Sequence, residues 1–150
     1  LLAQFEPSLR RKNLAVEHQR TSASTNVFAD PDALSQSLSN LISNVEKYAA
    51  DGKRFQINVE NSSHSGNVSI SIRDFGPGIP TADAERIFLP FARLNDSTTE
   101  GVTGTGLGLS IARDLAEAMD GRLQILPTSE GAHFELILPR APENIVAIAS

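Results

Sequence analysis

Asn40, Asn44 and Lys47 recur at a spacing that gathers them on one side of a helix. At roughly 100° per residue, the three side chains fall within about 60° of one another. Two amides and an ammonium group brought together in this way can bind a ligand, but a polar helix face most often faces water. The spacing marks a candidate site without deciding between these interpretations.

Asp74 is a second candidate, because its place in a strand pattern points it inward. Val68, Ile70 and Ile72 alternate with polar residues, and Asp74 continues their parity. A carboxylate aimed at the core needs a partner, since burying it unpaired is expensive. A turn, FGPGIP, follows at once, so a capping or turn aspartate fits equally well. The glycines of that turn would let the backbone approach a ligand closely.

Three glycines, Gly104, Gly106 and Gly108, alternate with other residues in the segment 104–109, which leads into an apolar-periodic helix. Unpaired N–H groups and the positive end of the helix dipole converge at such a start and suit a phosphate group. The segment lacks the Gly-Lys-Ser/Thr ending of a Walker loop. Its G-x-G-x-G spacing after a polar loop also differs from the G-x-G-x-x-G dinucleotide fingerprint. On its own, this turn is weak support for a phosphate site.

A helix predicted over residues 30–50 must position the polar triplet. Asp30 can act as its N-cap, and Pro31 then lies in the first turn, where a missing N–H costs nothing. Tyr48 lies at the edge of the polar face, and Gly52 is the expected left-handed residue that stops the helix. The opposite face is an apolar stripe of Leu34, Leu38, Leu41, Ile42, Val45 and Ala49.

Alternating apolar residues predict short strands around this helix. They are expected near residues 13–20, 27–29, 55–59, 68–74, 123–125 and 134–138. Further helices are predicted at residues 1–12, interrupted by Pro7, at 81–87, capped by Thr81, and after the glycines, ending at Gly121. The small polar residues 95–103 are typical of a mobile loop, and a loose tail is expected from Pro139.

The composition restricts the class of protein. The 150 residues suffice for one domain with a real core, and 40% of them are hydrophobic. The absence of Cys excludes a disulfide framework and thiolate metal sites. A net charge of −5 argues against non-specific nucleic-acid binding, which needs clustered cations. No apolar run is long enough to span a membrane, and the missing initiator Met suggests a fragment of a longer protein.

Four motifs occur in a fixed order along the chain. They are NLISNVEKY at 40–48, DFGPGIP at 74–80, IFLPFAR at 87–93 and GTGLGLSIA at 104–112. Together they resemble the N, G1, F and G2 boxes of the catalytic ATP-binding domain of sensor histidine kinases. That domain belongs to a superfamily shared with gyrase, MutL and the ATP-dependent heat-shock chaperones. The resemblance covers roughly residues 9–140.

The resemblance implies an α/β (α+β) two-layer sandwich, with a mixed, mostly antiparallel sheet covered on one face by about three helices and with a mobile ATP lid. It implies ATP and Mg²⁺, with Asn44 similar to the metal ligand and Asp74 to the acceptor of the adenine amino group. The residues implied to act in catalysis are Asn40, Lys47 and Arg93. Those implied to bind nucleotide are Asn44, Lys47, Tyr48, Asp74, Gly76, Gly78, Ile79, Phe88, Phe91, Gly104, Thr105, Gly106, Leu107, Gly108 and Leu109.

The same resemblance implies a protein-histidine kinase that passes the γ-phosphate of ATP to a histidine, for relay to a response-regulator aspartate. None of His18, His64 and His133 is followed by the acidic residue and proline of the family's acceptor. The acceptor is therefore expected on a separate dimerisation domain, through which the parent protein dimerises. On this interpretation 1–150 is a single catalytic domain, with 1–12 its linker helix and 141–150 a loose tail.

The implied partners are that dimerisation domain and a response regulator, without nucleic acid or direct membrane contact. The implied location is cytoplasmic, whether or not the parent protein is membrane-anchored. Three alternatives stay open. A water-hydrolysing ATPase is disfavoured by Asn40, because hydrolysing relatives place a Glu there to activate water. A serine kinase that inhibits a sigma factor would also be one small domain. A non-catalytic binding module is disfavoured because every nucleotide-contacting motif position is filled.

Overall fold

The computed structural model describes residues 1–21, 25–62, 66–92 and 106–142. The described part contains three α-helices: α1 (Leu2–Arg11), α2 (Pro31–Tyr48) and α3 (Gly108–Ala118). Its strands are β1 (Ala15–Arg20), β2 (Arg54–Asn61), β3 (Asn67–Asp74), β4 (Arg122–Leu126) and β5 (His133–Pro139). Short 3₁₀ turns occupy Ala50–Gly52, Thr81–Asp83 and Arg86–Phe88. Within these ranges, no helix is long and apolar enough to cross a membrane.

The strands form one sheet in the order β1–β2–β3–β5–β4. β1 and β2 are parallel, and α2 supplies the long crossover that a parallel pair requires. The other three pairings are antiparallel, and the β3–β5 pairing joins the β2–β3 hairpin to the β4–β5 hairpin. The predicted mixed, mostly antiparallel sheet is therefore confirmed.

The helices cover one face of this sheet and enclose the core. Leu41, Ile42 and Val45 of the α2 stripe are at most 1% exposed. From the sheet, Phe55 and Phe134 are fully buried against this layer. α1 lies beside α2, where Gln4 donates to Ser39 at 3.2 Å. The predicted two-layer sandwich with helices on one side is confirmed.

The other side of the sheet, called the outer face below, carries the alternate residues of the strands. Polar and charged side chains predominate there, as expected for the uncovered side of an antiparallel sheet. Its residues include Glu17 on β1, Arg54 and Gln56 on β2, Arg73 on β3, Arg122 on β4, and His133 and Glu135 on β5.

α2 is stabilised at both ends by side chains. Asp30 is the N-cap, and its Oδ1 accepts from the N–H groups of Asp32 and Ala33, each at 2.9 Å. At the other end, Lys12 donates to the backbone oxygen of Glu46 at 2.8 Å. A cation at the negative end of the helix dipole is favourable, so α1 and α2 are joined by charge as well as by packing.

The way α2 stops differs from the prediction. Gly52 lies in a 3₁₀ turn and is not left-handed, whereas Lys53 is, with φ 62°. Gly52 has another role, because a Cβ there would lie 2.4 Å from the carbonyl carbon of Phe75. It lets the end of α2 approach the segment after β3. Local sequence cannot reveal such a contact.

Three smaller predictions were wrong in detail. α1 continues through Pro7, since losing one backbone bond does not outweigh the packing of buried Leu9. Thr81 is the first residue of a 3₁₀ turn rather than a helix cap, because Pro80 fixes the chain before it and the segment divides into two short turns. Val27 forms a single bridge with Arg140 instead of a strand.

α3 ends close to Gly121, as predicted, but the left-handed residue that caps it is Asp120. Asp120 is left-handed, with φ 58°, and the N–H of Gly121 donates to the oxygen of Ala116 at 2.9 Å. This is the hydrogen bonding of a Schellman motif, with Asp120 in the place usually taken by glycine. Gly121 is still required, since a Cβ would lie 2.2 Å from the oxygen of Ile137.

The end of the described chain is held more firmly than predicted. Pro139 belongs to β5, and the N–H of Ala141 donates to the oxygen of Asn26 at 2.8 Å. The start of the predicted loose tail is therefore tied to the segment before α2. Residues 143–150, the predicted loop 95–103 and His64 lie outside the described residues.

Candidate functional site

Asp74 ends β3 and is only 4% exposed, as its strand parity predicted. Its Oδ1 accepts from the N–H groups of Gly76, at 3.1 Å, and Ala132, at 3.0 Å. Burial raises the pKa of this carboxyl group, and the two N–H donors oppose that shift. Both bonds use the same oxygen, and Oδ2 accepts no hydrogen bond from the described residues, so Oδ2 is the atom that can accept from a ligand.

The turn between β4 and β5 forms a wall against Asp74 that was not predicted. Gly131 has φ 72°, and a Cβ on it would lie 1.9 Å from the backbone oxygen of Asp74. Gly78 has φ 77°, and its Cβ would lie 2.7 Å from the oxygen of Gly131. Both positions therefore need glycine for conformation and for space. In the sequence, the only sign of this wall is a glycine shortly before the last strand.

An open cavity of about 390 Å³ lies between these two segments. Residues 76–80 and 128–131 line it, and the volume is in the range of small-ligand sites. Gly76, Gly78 and Ile79, which were predicted to bind nucleotide, are among the lining residues. No lining residue comes from α2 or α3, so the cavity represents one end of the predicted site.

The polar face of α2 meets the start of α3. Asn40 and Asn44 are half-buried, whereas Lys47 and Tyr48 are exposed. The Cβ of Asn40 lies 4.0 Å from where a Cβ on Gly108 would be. The Nδ2 of Asn40 is buried and has no hydrogen-bond partner among the described residues. A buried donor without an acceptor is costly, so this atom fits a bound group that supplies one.

The turn before α3 leads into a helix start that has no side-chain cap. Gly106 has φ 73°, and its oxygen accepts from the N–H of Phe91 at 2.9 Å. α3 begins at Gly108, and Leu107 supplies no side-chain cap. Among the described residues, no partner outside the helix is found for its first N–H groups, which suit an anion. Leu107 and Leu109 are both half-buried beside this start.

Phe88 and Phe91, the two phenylalanines predicted to bind nucleotide, lie in different environments. Phe88 is buried and meets Phe134 edge-on, with ring centroids 6.4 Å apart. The guanidinium of Arg113 lies 5.0 Å from the Phe88 centroid. Phe91, in contrast, is 72% exposed. Phe88 thus supports the site from the core.

Most of the predicted site residues fall into one connected region. The backbone of Gly76 packs on α2's C-terminal end, where an added Cβ would lie 2.7 Å from the Cα of Ala49. Asn40, nine residues earlier, meets α3, so the two ends of the region are separated by roughly 14 Å along the helix. The remaining predicted residues, Arg93, Gly104 and Thr105, lie outside the described residues.

The family model for histidine kinase-, DNA gyrase B- and HSP90-like ATPases matches residues 29–142. The chain belongs to this family. The adaptive-response sensory kinase SasA of Prochlorococcus marinus is 34% identical over 140 residues, which cover 93% of this chain and 37% of SasA. The chain therefore spans little more than a third of the length of that relative. The family resemblance read from the four motifs is confirmed.

Solved structures agree with this assignment. Full-length ShkA in complex with AMPPNP matches with a TM-score of 0.79 and 27% identity, over 93% of this chain and 28% of ShkA. The histidine kinase ThkA in complex with the response regulator protein TrrA matches with a TM-score of 0.73 and 26% identity, over 95% of this chain and 39% of that one. The chain is thus an ATP-binding domain whose relatives are sensor histidine kinases.

Proposed function

We propose that the chain is the catalytic domain of a two-component sensor histidine kinase. It binds Mg·ATP and transfers the γ-phosphate to a histidine on a separate dimerisation domain, from which a response-regulator aspartate receives it. Family membership and the sensory kinase SasA as a relative support this function. The observation that carries the proposal is Asn40, whose buried, unpartnered amide nitrogen lies beside the first residue of α3.

The geometry supports an elongated nucleotide with its base at Asp74. The free Oδ2 of Asp74 would accept from the adenine amino group, while Gly76, Gly78 and Ile79 line the cavity beside it. The triphosphate would extend along α2 to the uncapped N–H groups at the start of α3. A separation of roughly 14 Å between the two ends suits such an extended ligand.

Asn44 and Lys47 would neutralise and orient the phosphates. Asn44 is one helical turn from Asn40 and half-buried, and its amide oxygen is a suitable ligand for Mg²⁺, which keeps most of its other positions for water and phosphate. Bound Mg²⁺ would offset the negative charge that must be held during phosphoryl transfer. Lys47 is exposed at the end of the same face, and Arg93 is proposed to act with it.

Transfer rather than hydrolysis is favoured by the chemistry of Asn40. An amide cannot remove a proton from water, so the group nearest the start of α3 is no general base. Neither of the described histidines is a plausible acceptor for an internal reaction. His18 is on the exposed edge strand β1, and His133 is on the outer face of β5. The attacking imidazole is therefore assigned to the dimerisation domain.

The proposed partners are that dimerisation domain, which would hold two copies of the protein together, and a response regulator. ThkA, a structural relative, was solved in complex with a response regulator protein, which supports the second partner. A cytoplasmic site of action is proposed because response regulators and ATP must both reach the domain.

Phosphoryl transfer between separately prepared parts tests the function. The chain is incubated with γ-labelled ATP, alone and with the dimeric helical hairpin of the same parent protein. The chain alone should bind ATP without labelling itself. The hairpin should gain acid-labile phosphate, slowly because the covalent tether's advantage in effective concentration is lost. A hairpin whose acceptor histidine is replaced by Gln is the control.

Other outcomes would identify other functions. Acid-labile label on the chain alone, lost in His18→Gln or His133→Gln, would refute the proposed division of labour. Rapid release of phosphate without the hairpin would indicate a hydrolysing ATPase. Acid-stable label on a partner protein would indicate a serine kinase.

A further inference from the structure

Phe75, which directly follows Asp74, has an aromatic ring that contacts two guanidinium groups. The Cζ atom of Arg54 lies 4.2 Å from the ring centroid, and that of Arg73 lies 5.0 Å from it. Both distances are within the range of favourable cation–π contacts. Arg54 and Arg73 belong to the outer face, so the ring is held on the side of the sheet opposite the helices.

Arg54 is itself fixed by neighbours on β1 and β2. Its Nη1 forms an ion pair with Oε1 of Glu17 at 3.0 Å. Gln56 Nε2 donates to the other oxygen of Glu17 at 2.8 Å. These hydrogen bonds, first that of Gln56 and then that of Arg54, lower the pKa of Glu17 and keep it ionised. The outer cluster of Glu17, Arg54, Gln56, Arg73 and Phe75 thus spans three adjacent strands.

On the helix-covered side of the sheet, the backbone of Phe75 and Gly76 is closely packed. A Cβ on Gly52 would lie 2.4 Å from the Phe75 carbonyl carbon and 2.5 Å from its oxygen. The next residue, Gly76, packs on Ala49 and donates its N–H to Asp74. The Phe75–Gly76 peptide is therefore enclosed by the end of α2, while the Phe75 side chain is fixed from outside.

We propose that Phe75, held by Arg54 and Arg73, is a positioning residue that orients the Asp74 carboxylate toward a bound purine base. The inference rests on the proposed nucleotide site and adds a part that does not touch the nucleotide. Gly76, which follows Phe75 directly, donates one of the two backbone hydrogen bonds that hold Oδ1 of Asp74. A shift of the Phe75–Gly76 peptide would therefore change the direction of the other carboxylate oxygen.

Nucleotide discrimination tests this role better than affinity alone. ATP is compared with purine riboside triphosphate, which lacks the 6-amino group, by calorimetry on the 150-residue chain. Phe75→Ala should weaken ATP binding about five- to tenfold and change binding of the analogue by less than about twofold. Arg54→Met should lower the same preference by about threefold. Phe75→Leu should retain more of the preference than Phe75→Ala.

Arg122→Met is the matched control, because Arg122 is an exposed arginine of the outer face at the far edge strand β4. It should leave the preference unchanged. A wild-type ratio of affinities in both Phe75→Ala and Arg54→Met would overturn the inference, and so would equal weakening of both nucleotides. If Phe75→Ala does not fold, the exposed Arg54→Met variant decides. A wild-type chain that binds both nucleotides equally would instead refute the base recognition on which the inference rests.

Discussion

In the free domain, the carboxylate of Asp74 has lost most of its contact with water and has gained two backbone N–H donors. Burial raises its pKa above the ordinary value for an aspartate. A carboxyl group whose pKa is higher in the folded state than in the unfolded state stabilises the fold most at low pH. Its contribution to stability is lost as the pH rises through the raised pKa. Once it is ionised, this carboxylate costs the free domain the free energy of burying a charge, which a hydrogen-bond donor on a ligand would offset.

Asp74→Asn should separate stability from binding. Without nucleotide at pH 7, the thermal midpoint should rise, because the amide keeps Oδ1 as acceptor and removes the buried charge. ATP binding should weaken by about 2 kcal/mol or more, because a charge-assisted acceptor is replaced by a mispaired donor. Scanning calorimetry and titration calorimetry measure the two effects. Asp51→Asn, at an exposed position near the same site, is the control. Unchanged ATP affinity in the folded variant would refute the role of Asp74.

Asn44→Ala should affect metal dependence more than folding. The side chain lies opposite the buried stripe of α2, so little free energy of unfolding should be lost. The increase in ATP affinity on adding Mg²⁺ should largely disappear, which titrations with and without Mg²⁺ would show. Asn67→Ala, at the other end of β3, should keep the full Mg²⁺ effect. A collapse of the thermal midpoint, or survival of the Mg²⁺ effect in Asn44→Ala, would exclude Asn44 as the ligand.

His133 should make the domain less stable in mild acid. Burial, and secondarily the nearby Arg73, lower its pKa, while Glu135 opposes the shift. Because the folded pKa is depressed, the stabilising contribution is present above the ordinary histidine pKa and is lost as the pH falls through the folded value. His133→Gln should therefore lose less stability than the wild type between pH 8 and pH 5.5 in urea unfolding. Parallel curves for the two proteins would contradict this.

At the scale of elements, two glycines in β-hairpin turns offer a matched comparison. Gly131 has φ 72° and packs on Asp74, whereas Gly66 has φ 93° and, among the described residues, nothing within 4 Å of an added Cβ. Gly66→Ala should cost only the backbone strain, about 1–2 kcal/mol. Gly131→Ala should cost distinctly more and should also weaken ATP binding, since its Cβ would displace Asp74. Urea unfolding and calorimetry would detect both effects, and equal costs would show that the β4–β5 wall is not tightly packed.

The sequence predicted the elements whose signals are local. Asp30 and Pro31 marked the start of α2, and alternation placed Asp74 on the buried side of β3. It did not predict why Gly52 and Gly131 are glycines. Each meets backbone from a segment distant in the chain, and such contacts leave no periodic pattern.

The motifs predicted which segments come together at the candidate site, but the sequence did not predict the contacts that support it from outside those motifs. The polar face of α2 and the turn before α3 were both expected, and Asn40 and Gly108 do meet. The N–H of Ala132 and the outer cluster around Phe75 were not expected. Ala132 contributes through its backbone, and the outer cluster depends on the pairing of three strands, which composition does not show.

At the scale of the whole molecule, the pairing of β3 with β5 joins residues that lie far apart in the chain. Asp74 ends one of these strands and His133 begins the other, so residues 75–132 form a single excursion between them. That excursion contains the cavity-lining segments and α3. Asp74 receives the N–H of Ala132 only when the two strands have met.

This order of events has a kinetic consequence. Pairings between distant strands carry the larger loop-closure cost, so we expect the β3–β5 pairing to form after the local hairpins β2–β3 and β4–β5. If the β3–β5 pairing is incomplete in the folding transition state, that state cannot yet bind ATP. ATP should then slow unfolding in stopped-flow measurements and leave the refolding rate almost unchanged. ATP would then stabilise the native domain only by lowering its unfolding rate. A newly made chain must therefore reach its native fold before ATP can protect it.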